Sequence, residues 1–169
     1  VNADGTLDLF FDPNVTGLVQ VILPLANGQI LIGGSFTKVG TTTVSKIARL
    51  NSNGSLDSSF ITPTLNLYGV NSLAVDASGR IWVGGSSGMG SSLYRLLANG
   101  TIDLTLGGSN SVVSAIAVQP DGKVLVAGSI TDVANAYRSQ LSRLEVTGHF
   151  DSTFTPAPNS AVRAMSLQA

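Results

Sequence analysis

The chain has no cysteine among its 169 residues and a single histidine. Disulfides and thiolate metal sites are excluded on that ground, and one histidine cannot build a histidine metal cluster. Charge is also scarce: 11% of residues are charged, well under the usual share of about 25%, and nine Lys+Arg against ten Asp+Glu leave a net charge of −1. No run of like charge is present to grip a phosphate backbone, so no nucleic-acid partner is expected. No apolar run approaches the roughly 18 residues of a membrane span, and residues 1–15 lack the basic and apolar halves of a signal peptide, so no membrane insertion is expected.

What the chain does have is hydrophobic residues, 43% of the total, and 19 glycines, with Ser, Thr and Asn abundant. That balance favours strands and turns over solvated helices. A turn motif recurs four times, as Asn2-Ala3-Asp4-Gly5-Thr6-Leu7-Asp8, Asn51-Ser52-Asn53-Gly54-Ser55-Leu56-Asp57, Ala98-Asn99-Gly100-Thr101-Ile102-Asp103 and Thr147-Gly148-His149-Phe150-Asp151. Its glycines are 49, 46 and 48 residues apart. A second block recurs three times, beginning at Gly28-Gln29-Ile30-Leu31, Gly79-Arg80-Ile81-Trp82 and Gly122-Lys123-Val124-Leu125 and ending in Gly34-Ser35, Gly85-Ser86 and Gly128-Ser129.

Each period resolves into four short strands. Strand a, at 18–23, 70–75 and 112–118 with a further copy beginning at 161–167, is apolar at nearly every position, as a strand buried on both faces must be. Asn-Gly, Ser-Gly or Asp-Gly turns join it to strand b, and such turns supply the positive φ of tight hairpins. Strand c ends in Arg49-Leu50, Arg95-Leu96 and Arg143-Leu144, and strand d carries an aspartate three residues before an apolar position, as in Asp57 and Phe60. A meander of about 45 residues cannot cover its own apolar faces and must stack on its neighbours. The fold class expected is all-β: β-propeller blades built as four-stranded antiparallel meanders, about three complete blades plus a leading and a trailing strand. The chain reads as one propeller segment over 1–169, with repeats at approximately 1–11 (strand d only), 17–60, 67–106, 112–154 and 161–169 (strand a only). It is expected to belong to a longer array or to close by association with other chains.

The motifs Gln119-Pro120-Asp121-Gly122-Lys123-Val124-Leu125-Val126, Gly33-Gly34-Ser35-Phe36, Ala48-Arg49-Leu50-Asn51 and Asp4-Gly5-Thr6-Leu7-Asp8 closely resemble the delta-60 repeat family. The resemblance covers essentially the whole chain. It departs at Ala127, which stands for the first glycine, at Leu106, which stands for the aromatic, and at Val146-Thr147-Gly148. It implies propeller-like repeats of a bacterial cell-surface or secreted protein and brings no general catalytic residues.

Strand order puts the tight a–b and c–d turns on one face and the b–c and d–a connections on the other. The b–c connections vary in length: Ser35 to Arg49 and Ser129 to Arg143 span 14 positions, Ser86 to Arg95 only nine. Variable loops on a rigid scaffold are where binding resides, and this face carries Lys38, Asn66, Tyr68, Asp132, Asn135 and Tyr137. The structural alternative is that these are ordinary exposed polar loop residues.

The chemical motifs fall away under the same reading. Gly84-Gly85-Ser86-Ser87-Gly88 matches a nucleophile elbow, yet no helix pattern follows it, and His149 lies in a c–d turn on the opposite face. The Asp4-Gly5 turn resembles part of a calcium loop but lacks its bidentate Glu, and Asn53, Asn99 and Thr147 replace Asp4 in the other copies. Asp8, Asp57, Asp103 and Asp151 are expected to accept backbone hydrogen bonds and to pair with Arg49, Arg95 and Arg143. Inner-strand positions Gln20, Asn71 and Ser114 offer no acid for a propeller lyase or glycosidase. The expectation is a non-catalytic structural or interaction module, with no catalytic, metal or cofactor site, meeting a protein or glycan partner. The alternatives are a glycan-binding lectin, with Tyr68 and Tyr137 stacking on sugar rings, and a lyase or glycosidase.

Overall fold

A computed structural model describes residues 4–6, 8–88, 92–106, 111–129 and 140–167, and among them there are strands and turns but no helix. Strand β1 (Val15–Thr16) precedes the first repeat, whose inner strand β2 (Val19–Pro24) pairs antiparallel with β3 (Ile30–Gly34). The b–c connection then makes a hairpin of β4 (Lys38–Val39) and β5 (Thr42–Thr43) before β6 (Ile47–Leu50) returns to pair with β3. The second repeat is a full four-stranded meander of β7 (Gly69–Val75), β8 (Ile81–Ser86), β9 (Leu93–Leu96) and β10 (Ile102–Leu106). The third repeat supplies β11 (Val112–Val118), β12 (Val124–Ser129) and β13 (Leu141–Leu144). In repeats 1 and 3 strand d shrinks to single bridges, Leu50 with Leu56 and Leu144 with Phe150.

The recurring glycines explain why each hairpin closes. Gly54, Gly100 and Gly148 have φ of +85°, +94° and +96°, and each donates its N–H to the carbonyl three residues earlier. A side chain there would be strained. The inner strands share a further device: the register of β2 on β3, β7 on β8 and β11 on β12 shifts at the same point, between Val19 and Val21, Val70 and Ser72, and Val113 and Ala115. Such a bulge increases local twist.

Repeats stack face to face. Leu31 and Ile47 of repeat 1 share a core with Val70, Leu73, Ile81, Val83, Tyr94 and Leu96 of repeat 2. Trp82, Leu93 and Leu106 of repeat 2 meet Val113, Val124, Val126 and Leu144 of repeat 3. Among the described residues the ladder crosses between repeats 2 and 3 at one pair, Val112 and Ser86, and side-chain packing does most of the joining. The close approach requires glycine: a Cβ on Gly33 would lie 2.5 Å from Val70 Cγ1.

The front of repeat 1 has its own cover. Ile32, Ala48 and Leu50 are buried beneath Phe36, Val39 and Val44 of the b–c hairpin, with Phe11 and Val15 against them, and β1 pairs with β4. Inner strand β2 lies outside that cover, so Ile22 is 63% exposed where Leu73, in the same register, is 6%. Residues 4–6 and 8–11 run as turns and bends and 155–167 as irregular chain, without strand pairing among the described residues.

Candidate binding groove

On the face carrying the d–a connections, residues 63–68 run extended with strictly alternating burial: Pro63, Leu65 and Leu67 turn inward, and Thr64, Asn66 and Tyr68 outward. The period of two in this short stretch puts the Asn66 amide and the Tyr68 ring on one side. They line a hollow of about 480 Å³ with Lys46, Leu65, Leu67 and Gly88. Tyr68 is 73% exposed. Its hydroxyl lies over Gly88, where any Cβ would collide with it. The Asn66 N–H donates to the Tyr94 hydroxyl at 3.2 Å, and the Lys46 ammonium donates to the Leu65 carbonyl at 2.8 Å, which tie the wall to repeats 2 and 1.

Of the residues singled out from sequence on this face, Asn66 and Tyr68 come together. Lys38 lies in β4 of the side sheet and does not line the hollow. Asp132, Asn135 and Tyr137 fall outside the described residues. Sequence reasoning missed Lys46 and Gly88. Lys46 carried a weak signal, being the basic residue immediately before the strand-c motif where Ser92 and Gln140 stand in the other repeats.

The Asp and Arg residues of strands c and d hold structure together elsewhere. Arg49 Nε donates to Asp57 Oδ2 at 2.7 Å, Arg95 Nε to Asp103 Oδ2 at 2.6 Å, and Arg143 Nε to Asp151 Oδ2 at 2.9 Å. Arg49 and Arg143 also lie over Phe60 and Phe154, and Arg95 over Trp82. The other oxygen of Asp57 accepts both the hydroxyl and the N–H of Ser59. That hydroxyl, with Arg49 in support, holds the carboxyl down at about 2 against burial. Asp151 is likewise held well below the ordinary carboxylate range by the Thr153 hydroxyl first and Lys123 second.

The remaining motifs have local explanations. Asn53 and Asn99 accept from Ser55 and Thr101 two residues on, as Asp4 does from Thr6, so each closes its own turn. Ser86 closes β8, opposite Gly69 and Val112. Among the described residues no three of His, Cys, Asp and Glu gather where a metal ion could be held. Along the inner strands Gln20 Nε2 donates to Asn71 Oδ1 and Asn71 Nδ2 to the Val113 carbonyl, a polar chain linking three repeats.

Comparison with known families finds propeller models. The model described as "Domain of unknown function (DUF5122) beta-propeller" matches residues 25–60 and 119–154, the strand b to strand d portions of repeats 1 and 3. The model described as "Two component regulator propeller" matches residues 64–87, which take in the Asn66–Tyr68 wall and the first hairpin of repeat 2. The chain has no match among curated proteins. With three meanders stacked through their faces and both family models describing propellers, this chain is a protein of β-propeller repeats.

Proposed function

We propose that the chain is a non-catalytic interaction module of the delta-60 repeat type, part of a bacterial cell-surface or secreted protein, and that it meets a protein or glycan partner through the face formed by its b–c and d–a connections. The observation that carries the reading is the Tyr68 ring, 73% exposed at the edge of a ligand-sized hollow whose walls are fixed by hydrogen bonds to two repeats. An exposed aromatic on a rigid frame offers contact area at small entropic cost. A non-catalytic role suits the inner strands, where Gln20 and Asn71 hydrogen-bond each other.

The test is a glycan and peptide array probed with the whole chain and with Tyr68→Ala. A ligand that the wild type holds and Tyr68→Ala loses supports the reading. Release of shortened products from a polysaccharide would overturn its non-catalytic part, and arrays on which both proteins behave alike would overturn the face.

A further inference from the structure

We propose that the Lys46–Tyr68 groove takes an acidic saccharide, with one uronate ring stacked on Tyr68 and its carboxylate on the Lys46 ammonium. This rests on the binding face argued above and names the ligand class it serves.

The first ground is the backbone at Lys46. Its φ is +72°, in the left-handed region. Its carbonyl accepts from Gly34, as those of Ser92 and Gln140 accept from Gly85 and Gly128. A left-handed conformation in a residue with a long side chain is strained and persists where surrounding structure enforces it, often at ligand clamps. Here it accompanies an ammonium fixed on the Leu65 carbonyl at 2.8 Å. A lysine has three donors, and this bond uses one.

The second ground is charge. Among the described residues no carboxylate lines the hollow and Lys46 has no ion pair. A cation beside an exposed ring and an exposed amide matches a ligand with an anionic group on a saturated ring bearing hydroxyls. A sugar places its C–H face on tyrosine and its hydroxyls on an amide such as Asn66. A peptide fits less well, because it needs apolar pockets or a free strand edge, and Leu65 and Leu67 are each only 3% exposed. Nucleic acid needs several cations, and among the described residues one lysine lines this hollow.

The test is calorimetric titration of the whole chain with tri- and tetrasaccharides of galacturonate, guluronate, mannuronate and hyaluronan, each against its carboxyl-reduced counterpart. The variants are Tyr68→Ala, Tyr68→Phe and Lys46→Gly. Lys46→Gly removes the ammonium while relaxing the left-handed backbone, so a folding defect is not expected. We expect at least one uronate to bind the wild type about tenfold or more tightly than its reduced form. Lys46→Gly should weaken that binding by about tenfold or more and leave the reduced sugar unchanged, as for loss of one hydrogen bond to a charge. Tyr68→Ala should abolish binding, and Tyr68→Phe should keep it. Silence across the uronates, equal affinity for the reduced sugars, or indifference to Lys46→Gly would overturn the inference. If a neutral glycan or a peptide binds in a Tyr68-dependent way, the acidic ligand fails while the binding face stands. If nothing depends on Tyr68, both fail.

Discussion

Arg49 Nη1 donates to the carbonyl of Ala98, 49 residues further along the chain, at 2.6 Å, while its Nε holds Asp57 of its own repeat. Arg95 repeats the arrangement, with Nη1 on the Val146 carbonyl at 3.0 Å and Nε on Asp103. In both cases the acceptor lies two residues before the glycine of the next repeat's c–d turn. A planar fork with separate donors is what allows one side chain to close its own strand pair and seize the neighbouring turn. The arginines that looked like internal partners of the aspartates are also clamps between repeats.

Arg95→Ala is expected to cost about 2–3 kcal/mol in urea unfolding, from the lost turn bond and the broken, largely buried pair. Arg95→Lys should recover less than half of that, since one ammonium cannot reach both Asp103 and the Val146 carbonyl. Trp82, the only tryptophan, lies under the Arg95 guanidinium and between repeats 2 and 3, so its emission reads this joint directly. A lysine variant as stable as the wild type would remove the two-point clamp.

Gly84 tests the packing between the same two repeats. A Cβ there would run into Val113 Cγ1 and lie 2.8 Å from Val113 Cβ. Gly84→Ala should therefore destabilise by about 1–3 kcal/mol as an overpacked interface. Trimming the partner as well, in Gly84→Ala/Val113→Ala, should cost less than the sum of the two single changes, with a coupling of about 0.5 kcal/mol or more. Strict additivity in that double-mutant cycle would mean the two repeats do not press together there.

Much of this was legible because it is local or periodic. Turn glycines at near-constant spacing announce hairpins, and an aspartate eight residues after an arginine across a tight turn has little choice of partner. Asn66 and Tyr68 could be placed on one face from strand order alone. What escaped was non-local. The 14-position b–c connection of repeat 1 read as a variable loop, yet its Val39 and Val44 fold back as a hairpin on Ile32 and Leu50, because those side chains need an apolar cover. No short-range signal pairs Val15 with Val39. Lys46 was likewise hidden, since its value depends on a positive φ and on Leu65, 19 residues away.

The paired carboxylates set the response to acid. Asp57 is held at about 2 and Asp151 below its ordinary value, so each stabilises the fold above about pH 4, and that stability is lost as pH falls through the folded values. The urea midpoint should stay flat from about pH 8 to about pH 5 and fall steeply below about pH 4. Asp57→Asn should lower the neutral plateau and make the acid fall shallower. Lys123 works in the other direction: Glu145 first and Asp151 second raise it above 10.5, so its contribution is complete below that value and disappears as pH rises through the raised one. An Asp57→Asn profile parallel to the wild type would dismiss that carboxylate as a source of acid sensitivity.

The hairpin covers the face of repeat 1 that is turned away from repeat 2. Phe11 occupies the strand-d aromatic position that Phe60 fills between repeats 1 and 2, and Phe36 is fully buried beside Ile32 and Leu50. Stacked repeats contact only their neighbours, so damage at one end should stay near that end. Phe36→Ala is expected to cost about 3–5 kcal/mol locally by opening a cavity in this cover. Amide exchange should then accelerate by about a hundredfold or more in β3 and β6 while β12, β13 and the Trp82 emission change little. Equal acceleration in all three repeats would instead show that the chain opens as a single unit, and the hairpin would be one part of a continuous core rather than a local cover.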